Sequence, residues 1–334
     1  MSPRSTLIAI GGNALIREGE PGSIPVQQER SAAFGEAVAG LVGAGLRVIV
    51  THGNGPQVGY ILRRGELVAD EAGPEGLPDL PLWLAVADSQ GGIGHMLALG
   101  IDRALEAAGR SERAIGVLTH CQVRPDDSAF ANPTKPIGGV LDAETAERRV
   151  RDENWSVAQV EPGVFRRVVP SPVPEVVIET PQVQTLIDSG TVVIAAGGGG
   201  IPVVRDAAGW RPVDAVIDKD RASALLAKDA GIDTLVLVTG VDHVFVDFGT
   251  PQQRALDVVD TATLRQHLAD GQFPPGSMGP KIASAIDFVE QSSGEAIITS
   301  LDALAPALAG RAGTRIVRGA AALSAPDPRS SKEG

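Results

Sequence analysis

Residues 46–59 read LRVIVTHGNGPQVG, and this stretch decides the fold class. Its first six residues are mostly apolar and β-branched, which is typical of a buried strand. The glycine-rich turn Gly53-Asn54-Gly55 follows, and Pro56 suits the first turn of a helix. A strand, a glycine turn and a helix in this order are typical of α/β proteins with parallel sheets.

The same pattern recurs along the chain. An apolar run at residues 7–10 ends at Gly11-Gly12-Asn13, and another at residues 192–196 runs into Gly197-Gly198-Gly199-Gly200. Further apolar runs alternate with helix-like segments, at residues 114–118, 235–238, 296–299 and 314–317. Because strands separated by helices usually form parallel sheets, we predict a mostly parallel sheet with helices on both faces.

Residues 1–323 are predicted to form one domain that contains an inserted subdomain at residues 124–181, where prolines cluster and charge rises. The insertion is expected to hold a helix at residues 142–152 and a short strand near residues 164–169. It is either a substrate-facing lid or a plain structural insertion. Residues 18–23 are predicted to form a loop, and the polar tail at residues 324–334 is predicted to be disordered.

Composition excludes several functions. The formal net charge is −12, which disfavours binding to nucleic acid or to an anionic membrane surface. The single cysteine, Cys121, excludes an intrachain disulfide and a multi-cysteine metal site, and we interpret it as a buried apolar filler. The sequence has no apolar stretch long enough to span a bilayer, so we expect a cytoplasmic protein.

The glycine turns and three lysines together indicate phosphate chemistry. Glycine turns let backbone amides approach an anion, and Lys135, Lys219 and Lys281 supply mobile positive charge. Each lysine alone is more typical of a solvated surface residue. Several anion-binding turns in one chain nevertheless suggest that more than one phosphate or carboxylate is bound at once, as phosphoryl transfer requires.

Other motifs are weaker. No GxxxxGK[ST] sequence occurs, which argues against a P-loop nucleotide hydrolase. The turn at residues 53–59 has its third glycine one position late for a dinucleotide-binding fingerprint, so a dehydrogenase is a minor alternative. His52 could be a base or a metal ligand, but we expect it to support the loop, and the other histidines show no metal-ligand spacing.

Taken together, the motifs resemble those of the carbamate kinases, a family within the amino acid kinase superfamily. The resemblance runs from about Leu7 to Val317 and rests on GGNA at 11–14, HGNGPQVG at 52–59, NPTKPIG at 132–138, VPSP at 169–172, GGGGIPV at 197–203, VIDKD at 216–220, LVTGVD at 237–242 and PGSMGPK at 275–281. It implies an open three-layer αβα sandwich with a protruding subdomain that carries Lys135. It also implies reversible transfer of a phosphoryl group between ATP and carbamate, expected to form ATP in arginine catabolism.

The resemblance implies roles for individual residues. Lys135, Lys219 and Lys281 neutralise charge, and Asp220 orients the lysines. The predicted substrate and phosphate site consists of Gly11, Gly12, Asn13, Gly53, Asn54, Gly55, Gly198 and Gly199. The predicted nucleotide site consists of Lys219, Thr239, Gly240, Val241, His243, Gly276, Ser277, Met278 and Lys281, with His243 at a position where the family usually has tyrosine.

The resemblance further implies a homodimer and Mg²⁺ bound with ATP or ADP, and we assign the ion no protein ligand. Two alternatives stay open at this point. One is a related kinase that phosphorylates another small carboxylate, such as N-acetylglutamate or aspartate. The other is a nucleotide-sensing module without catalytic activity, against which the lysines and Asp220 argue.

Overall fold

The computed structural model describes residues 4–11, 22–72, 80–274 and 276–319, apart from the side chains of residues 69–72. The strands of these residues are, in chain order, β1 (Ser5–Ile10), β2 (Arg47–His52), β3 (Ala114–Gly116), β4 (His120–Val123), β5 (Lys135–Leu141), β6 (Val157–Glu161), β7 (Val164–Val169), β8 (Pro174–Val177), β9 (Val192–Ile194), β10 (Ile201–Asp206), β11 (Gly209–Pro212), β12 (Thr234–Thr239), β13 (Val244–Val246), β14 (Arg254–Leu256), β15 (Val258–Asp260), β16 (Glu295–Ser300) and β17 (Thr314–Val317). The α-helices are α1 (Ile24–Gly43), α2 (Gln57–Ala72), α3 (Leu82–Ala107), α4 (Ala143–Glu153), α5 (Thr180–Asp188), α6 (Lys219–Asp229), α7 (Thr261–Ala269), α8 (Met278–Gln291) and α9 (Leu304–Leu308).

The main sheet has eight strands in the order β15-β17-β16-β12-β1-β2-β9-β3. The six strands from β16 to β3 are parallel to one another, whereas β17 is antiparallel to β16 and parallel to β15. This arrangement confirms the predicted α/β class with a mainly parallel sheet. The neighbouring strands β12, β1, β2 and β9 all end at the same edge of the sheet, which is where ligands bind in open parallel sheets.

Helices cover both faces of this sheet because alternate residues of each central strand face opposite sides. Leu7 and Ala9 of β1 belong to an apolar core, here called the main core, with helices α5, α6, α7 and α8. Ile8 and Ile10 belong to a second core with helices α1, α3 and α9. Every residue of β1 is buried, as expected for a central strand of a parallel sheet.

Two smaller sheets lie within or beside the predicted insertion. The strands β5, β7 and β6 form an antiparallel three-stranded sheet, here called the small sheet, and α4 packs against it. The strand β8, at the carboxyl end of the predicted insertion, instead joins β4, β10 and β11 in a four-stranded sheet. A lid function for residues 124–181 stays a prediction.

Several sequence predictions concern residues outside the described ranges. These are Gly12 and Asn13, most of the loop at 18–23 and the tail at 324–334. Within the described ranges, no helix is long and apolar enough to cross a membrane. Cys121 is buried in the main core, and burial raises the pKa of its thiol, with a further contribution from Glu179.

Candidate active site

The site is built around the first turn of α6. Asp218 lies just before this helix, and its carboxylate accepts hydrogen bonds from the backbone amides of Asp220 at 2.9 Å and Arg221 at 3.4 Å. A carboxylate at this position stabilises a helix because it binds unpaired amides and the positive end of the helix dipole. The sequence VIDKD therefore places two carboxylates and a lysine within one turn at the ligand-binding edge of the main sheet.

Three lysines from three elements meet on these two carboxylates. The Lys219 ammonium lies 2.6 Å from one oxygen of Asp220, and the Lys281 ammonium from α8 lies 2.8 Å from the other. The Lys135 ammonium from β5 lies 2.7 Å from Asp218. The structure thus brings together the four residues predicted to be catalytic, which are Lys135, Lys219, Asp220 and Lys281. Lys135 joins them by its contact with Asp218, a residue to which the sequence assigned no role.

Burial and charge act against each other in this cluster. Burial alone would raise the pKa of Asp220, but the charges and hydrogen bonds of Lys219 and Lys281 outweigh it, so the pKa lies well below its usual range. Burial would also raise the pKa of Asp218, and Lys135 contributes most to the net lowering. The pKa of Lys219 is lowered by burial, with Asp220 opposing the shift and Lys281 adding to it. Three ammonium groups against two carboxylates leave the cluster with one positive charge in excess.

Two glycine turns lie beside this cluster at adjacent strand ends. The amide of Gly53 donates to the carbonyl of Ile10 at 3.1 Å, which ties the turn after β2 to the end of β1. The side-chain amide of Asn54 donates to the carbonyl of Gly198 at 3.2 Å, and its oxygen accepts from Ser89 at 2.5 Å. Because the Asn54 side chain makes these bonds, it fixes the two turns to each other.

The glycine tetrad needs an unusual backbone. Gly198 has φ 68°, and a Cβ atom there would lie 2.1 Å from the side-chain oxygen of Asn54. Gly199 has φ 91°, and Ala196, just before the tetrad, has φ 47°, which is rare for a residue with a side chain. Non-glycine residues at positive φ are strained, and such strain concentrates at functional sites.

Polar residues of α3 and the β3–β4 connection hold this backbone. The Gln90 side chain donates to the carbonyl of Gly197 at 2.8 Å and accepts from the amide of Thr119 at 2.6 Å. The Thr119 hydroxyl accepts from the amide of Ala196 at 3.0 Å. Sequence analysis missed Ser89, Gln90 and Thr119, although a Ser-Gln pair inside an otherwise apolar helical pattern is a signal for buried polar contacts.

His52 supports the loop, as expected. It is buried, and its Nδ1 lies 2.9 Å from the carbonyl of Gly53, while its Nε2 has no hydrogen-bond partner among the residues that the structure describes. Burial lowers the pKa of His52 to about 4; the Gly53 hydrogen bond opposes this shift and Lys219 adds to it. His52 is therefore neutral near pH 7. A Cβ atom on Gly197 would lie 2.4 Å from Nε2, so the ring packs directly under the tetrad.

The residues predicted to bind nucleotide lie in two segments. Thr239 ends β12, and Gly240, Val241 and His243 follow it; the His243 ring lies 3.6 Å from the carboxylate of Asp257. The second segment leads into α8, which carries Lys281 into the cluster. It comprises Gly276, Ser277 and Met278, and Pro275 lies outside the described ranges.

The remaining predicted residues are Gly11, which follows β1 directly, and Gly55, which has φ 53° in the turn before α2. In residues 4–11, 22–72, 80–274 and 276–319, no group of three or more histidine, cysteine or carboxylate side chains could hold a metal ion. The functional roles of the individual residues stay predictions.

Comparison with known proteins places the chain in a family. Residues 4–300 match the model of the amino acid kinase family. The chain belongs to the amino acid kinase family. It is 44% identical over 314 residues to the carbamate kinase-like protein YahI of Escherichia coli, covering 93% of this chain and 98% of that protein. It is 37% identical over 314 residues to the carbamate kinase of Pyrococcus furiosus, covering 94% of this chain and 99% of that one.

Solved structures agree with this assignment. The carbamate kinase from Giardia lamblia bound to AMP-PNP superposes with a TM-score of 0.87 at 35% identity, covering 95% of this chain and all of that one. The amino acid kinase fold and the resemblance to carbamate kinases, both expected from the sequence motifs, are thereby confirmed.

Proposed function

We propose that this protein is an ATP:carbamate phosphotransferase that catalyses carbamate + ATP ⇌ carbamoyl phosphate + ADP. The observation that carries the proposal is the meeting of three ammonium groups on Asp218 and Asp220, at the ligand-binding edge of the main sheet. Relatives named carbamate kinase, which cover nearly the whole chain, support the choice of substrate.

The main obstacle to this reaction is electrostatic. Carbamate is an anion and must approach the γ-phosphate of ATP, which is also negative. At an effective dielectric constant near 20, two unit charges about 4 Å apart interact by roughly 4 kcal/mol. The ammonium groups of Lys135, Lys219 and Lys281 offset this repulsion in the ground state. They also stabilise the charge that develops on the transferring group in the transition state.

The reaction needs no general base. An anionic oxygen of carbamate attacks the γ-phosphorus, the bond to the β–γ bridging oxygen breaks, and ADP leaves, so no proton has to be removed from the nucleophile. The site agrees with this, because His52 is neutral and its Nε2 is buried against Gly197. We assign His52 to loop support.

We propose that backbone amides bind the substrates. Gly53 and Gly55 lie in the turn between β2 and α2, and we assign this turn to carbamate or carbamoyl phosphate; the Gly53 amide is bonded to the carbonyl of Ile10, so the donor we propose is the Gly55 amide. Gly198 and Gly199 lie in the adjacent tetrad, and we assign them to the same anion; the Gly199 amide is bonded to the carbonyl of Ala196 at 3.0 Å, so the donor we propose is the Gly198 amide. Asn54 holds the two turns together through Gly198.

We propose that the nucleotide enters as MgATP or MgADP. Lysines already bind the carboxylates of Asp218 and Asp220 at 2.6–2.8 Å. This agrees with an ion that is held by phosphate oxygens and water rather than by these carboxylates. When bound, the ion would neutralise part of the phosphate charge. Lys219 and Lys281 would contact the phosphates, and Thr239, Gly240 and Ser277 would lie along the nucleotide.

We also propose a homodimer, as the resemblance to the family implies. Ile115 of β3, at the edge of the main sheet, and Leu118 just after it are 42% and 56% exposed, which supports an apolar contact there.

A coupled assay of ATP formation tests the proposed activity. ADP with carbamoyl phosphate should give ATP, whereas acetylglutamyl phosphate and acetyl phosphate should give at most a small fraction of that rate. Faster turnover with either control phosphate would identify a related kinase with another carboxylate acceptor. No ATP from any of the three would contradict a phosphotransferase.

A further inference from the structure

The contact between α2 and the small sheet connects two parts of the proposed site. Helix α2 begins at Gln57, directly after the turn at residues 53–55 that we assign to carbamate, here called the substrate turn. The amide of Val58 donates to the carbonyl of Asn54 at 3.4 Å. The small sheet carries Lys135 at the start of β5. Whatever fixes α2 against β5 therefore fixes Lys135 relative to the substrate turn.

The closest point of this contact is backbone against backbone. A Cβ atom on Gly59 of α2 would lie 2.7 Å from the Cα atom of Gly138 in β5. Gly138 has φ 66° and lies where the pairing of β5 with β7 shifts register, between Ile137 and Val140. It is three residues from Lys135, so a displacement here is transmitted along one short strand.

Apolar side chains surround this point. Val58 and Leu62 of α2 pack with Ile137 of β5 and Val169 of β7, and all four are buried. Val169 is also the register partner of Lys135. The cluster therefore holds the stretch of the small sheet from which the lysine side chain extends.

A buried arginine continues the contact further along α2. The Arg149 side chain of α4 is 3% exposed and lies 3.7 Å from the carboxylate of Glu66. Its guanidinium lies over the Trp155 ring at 5.0 Å, and Arg167 of β7 lies over the same ring at 4.4 Å. Glu153 of the same helix is the nearer partner of this buried charge, and Glu66 adds a longer contact that joins α4, and the small sheet beneath it, to α2.

We propose that Gly59 and the Arg149–Glu66 pair are positioning residues that set the distance between Lys135 and the substrate turn. Neither touches the reacting groups, and both act through the placement of β5. The ammonium groups of Lys219 and Lys281, on α6 and α8, are held by Asp220 rather than by this contact. The inference rests on the proposed function.

The experiment is a double-mutant cycle of Gly59→Ala and Lys135→Ala, assayed for ATP formation. Gly59→Ala should lower kcat at least about tenfold and raise KM for carbamoyl phosphate while leaving KM for ADP unchanged, since misplacing a reacting partner by about 1 Å can cost up to about 100-fold. In the Lys135→Ala background, the same substitution should change kcat by less than about twofold, because no lysine is left to misplace.

Gly65→Ala is the matched control. Gly65 lies in the same helix, and within the described residues a Cβ atom there would meet only the Leu80 side chain, at an ordinary 3.7 Å. Its kcat should stay within about twofold of wild type, because alanine favours the helix and displaces nothing. Equal activity of the two alanine variants would overturn the proposal, as would a tenfold loss that persists without Lys135.

Glu66→Gln is the alternative variant if Gly59→Ala does not fold. It removes the charge facing Arg149 without changing volume, and it should lower kcat a few-fold only when Lys135 is present. Glu147→Gln, an exposed carboxylate on α4, is its control. A loss with Glu66→Gln that is independent of Lys135, or none at all, would overturn the proposal. An inactive wild-type enzyme would instead contradict the proposed function.

Discussion

The lysines of the site lie in two regions that differ in how firmly they are held. Lys219 and Lys281 share Asp220, which is 3% exposed, and their helices α6 and α8 pack on the core of the main sheet. Lys135 contacts Asp218, has a side chain that is 33% exposed, and extends from the small sheet. The first region is fixed by the main core, whereas the second depends on how a small unit docks. Substitutions should therefore have different consequences in the two regions.

The largest expected effect is a difference in kcat between variants of the two carboxylates, Asp220 and Asp218. Asp220→Asn leaves two buried ammonium groups without their shared anion, so they repel each other and lose their orientation. We expect kcat for ATP formation to fall at least 100-fold, the scale typical of removing a group that organises transition-state charge. Asp218→Asn removes the partner of Lys135 and weakens the start of α6 but leaves Asp220 between Lys219 and Lys281, and we expect a loss of about tenfold.

Initial rates at saturating ADP and carbamoyl phosphate measure both variants, and thermal unfolding checks that they fold. Comparable losses in the two would show that the regions are equally rigid. A greater loss with Asp218→Asn would reverse the comparison.

The glycine tetrad gives the next largest effect, on stability. Gly198→Ala must adopt φ 68° and push away the Asn54 oxygen, which would lie 2.1 Å from the new methyl group. We expect the free energy of unfolding to fall by about 3 kcal/mol, from backbone strain and broken buried hydrogen bonds.

Gly190→Ala is its control, because Gly190 has φ 87° but no atom of the described residues lies within 4 Å of a Cβ there. It should show only the backbone cost, about 1 kcal/mol. Urea titration of both variants measures the difference. Equal destabilisation would mean that Asn54 moves freely and does not hold the two turns together.

The smallest predicted effect is the pH dependence from His52. Its pKa is about 4 in the fold against 6.5 ordinarily, so below pH 6.5 the unfolded chain takes up a proton that the folded chain does not. The stabilisation is therefore complete above pH 6.5 and is lost as the pH falls towards 4. Between pH 7.5 and pH 5, we expect this residue to account for a decrease of about 2 kcal/mol in the free energy of unfolding.

Urea titrations at both pH values should show a smaller decrease for His52→Gln than for wild type. His95→Gln, at an exposed position, should behave like wild type. An unchanged pH dependence in His52→Gln would show that the ring is protonated in the fold. The region around Asp220 and His52 would then be less rigid, relative to the small sheet, than its burial indicates.

The main sheet could be predicted from the sequence because its strands are buried on both faces. Strands such as β1 and β12 are continuous apolar runs, and each ends at a glycine or a Thr-Gly pair. The strand β11 was not predicted, because it contains glycine and proline and is largely exposed. Strand β8 was assigned to the insertion, because pairing partners distant in sequence leave no local signal.

The site was predictable where chemistry is local and not where it depends on distant contacts. Lys219 and Asp220 follow from the sequence VIDKD at the start of a helix, beside a strand end. Asp218 was missed as the partner of Lys135 because 83 residues separate them. Gln90 was missed because its partners, Thr119 and Gly197, come from two other segments.

The buried thiol of Cys121 can report how often the core around the glycine tetrad opens. It is the only thiol in the chain, it is 0% exposed, and its Cβ atom would lie 2.9 Å from a Cβ on Gly200 of the tetrad. A thiol-specific reagent can therefore react only with molecules whose main core has separated at this point. The labelling rate measures how often that happens, and its slowing on addition of ADP or carbamoyl phosphate would express ligand affinity without any turnover.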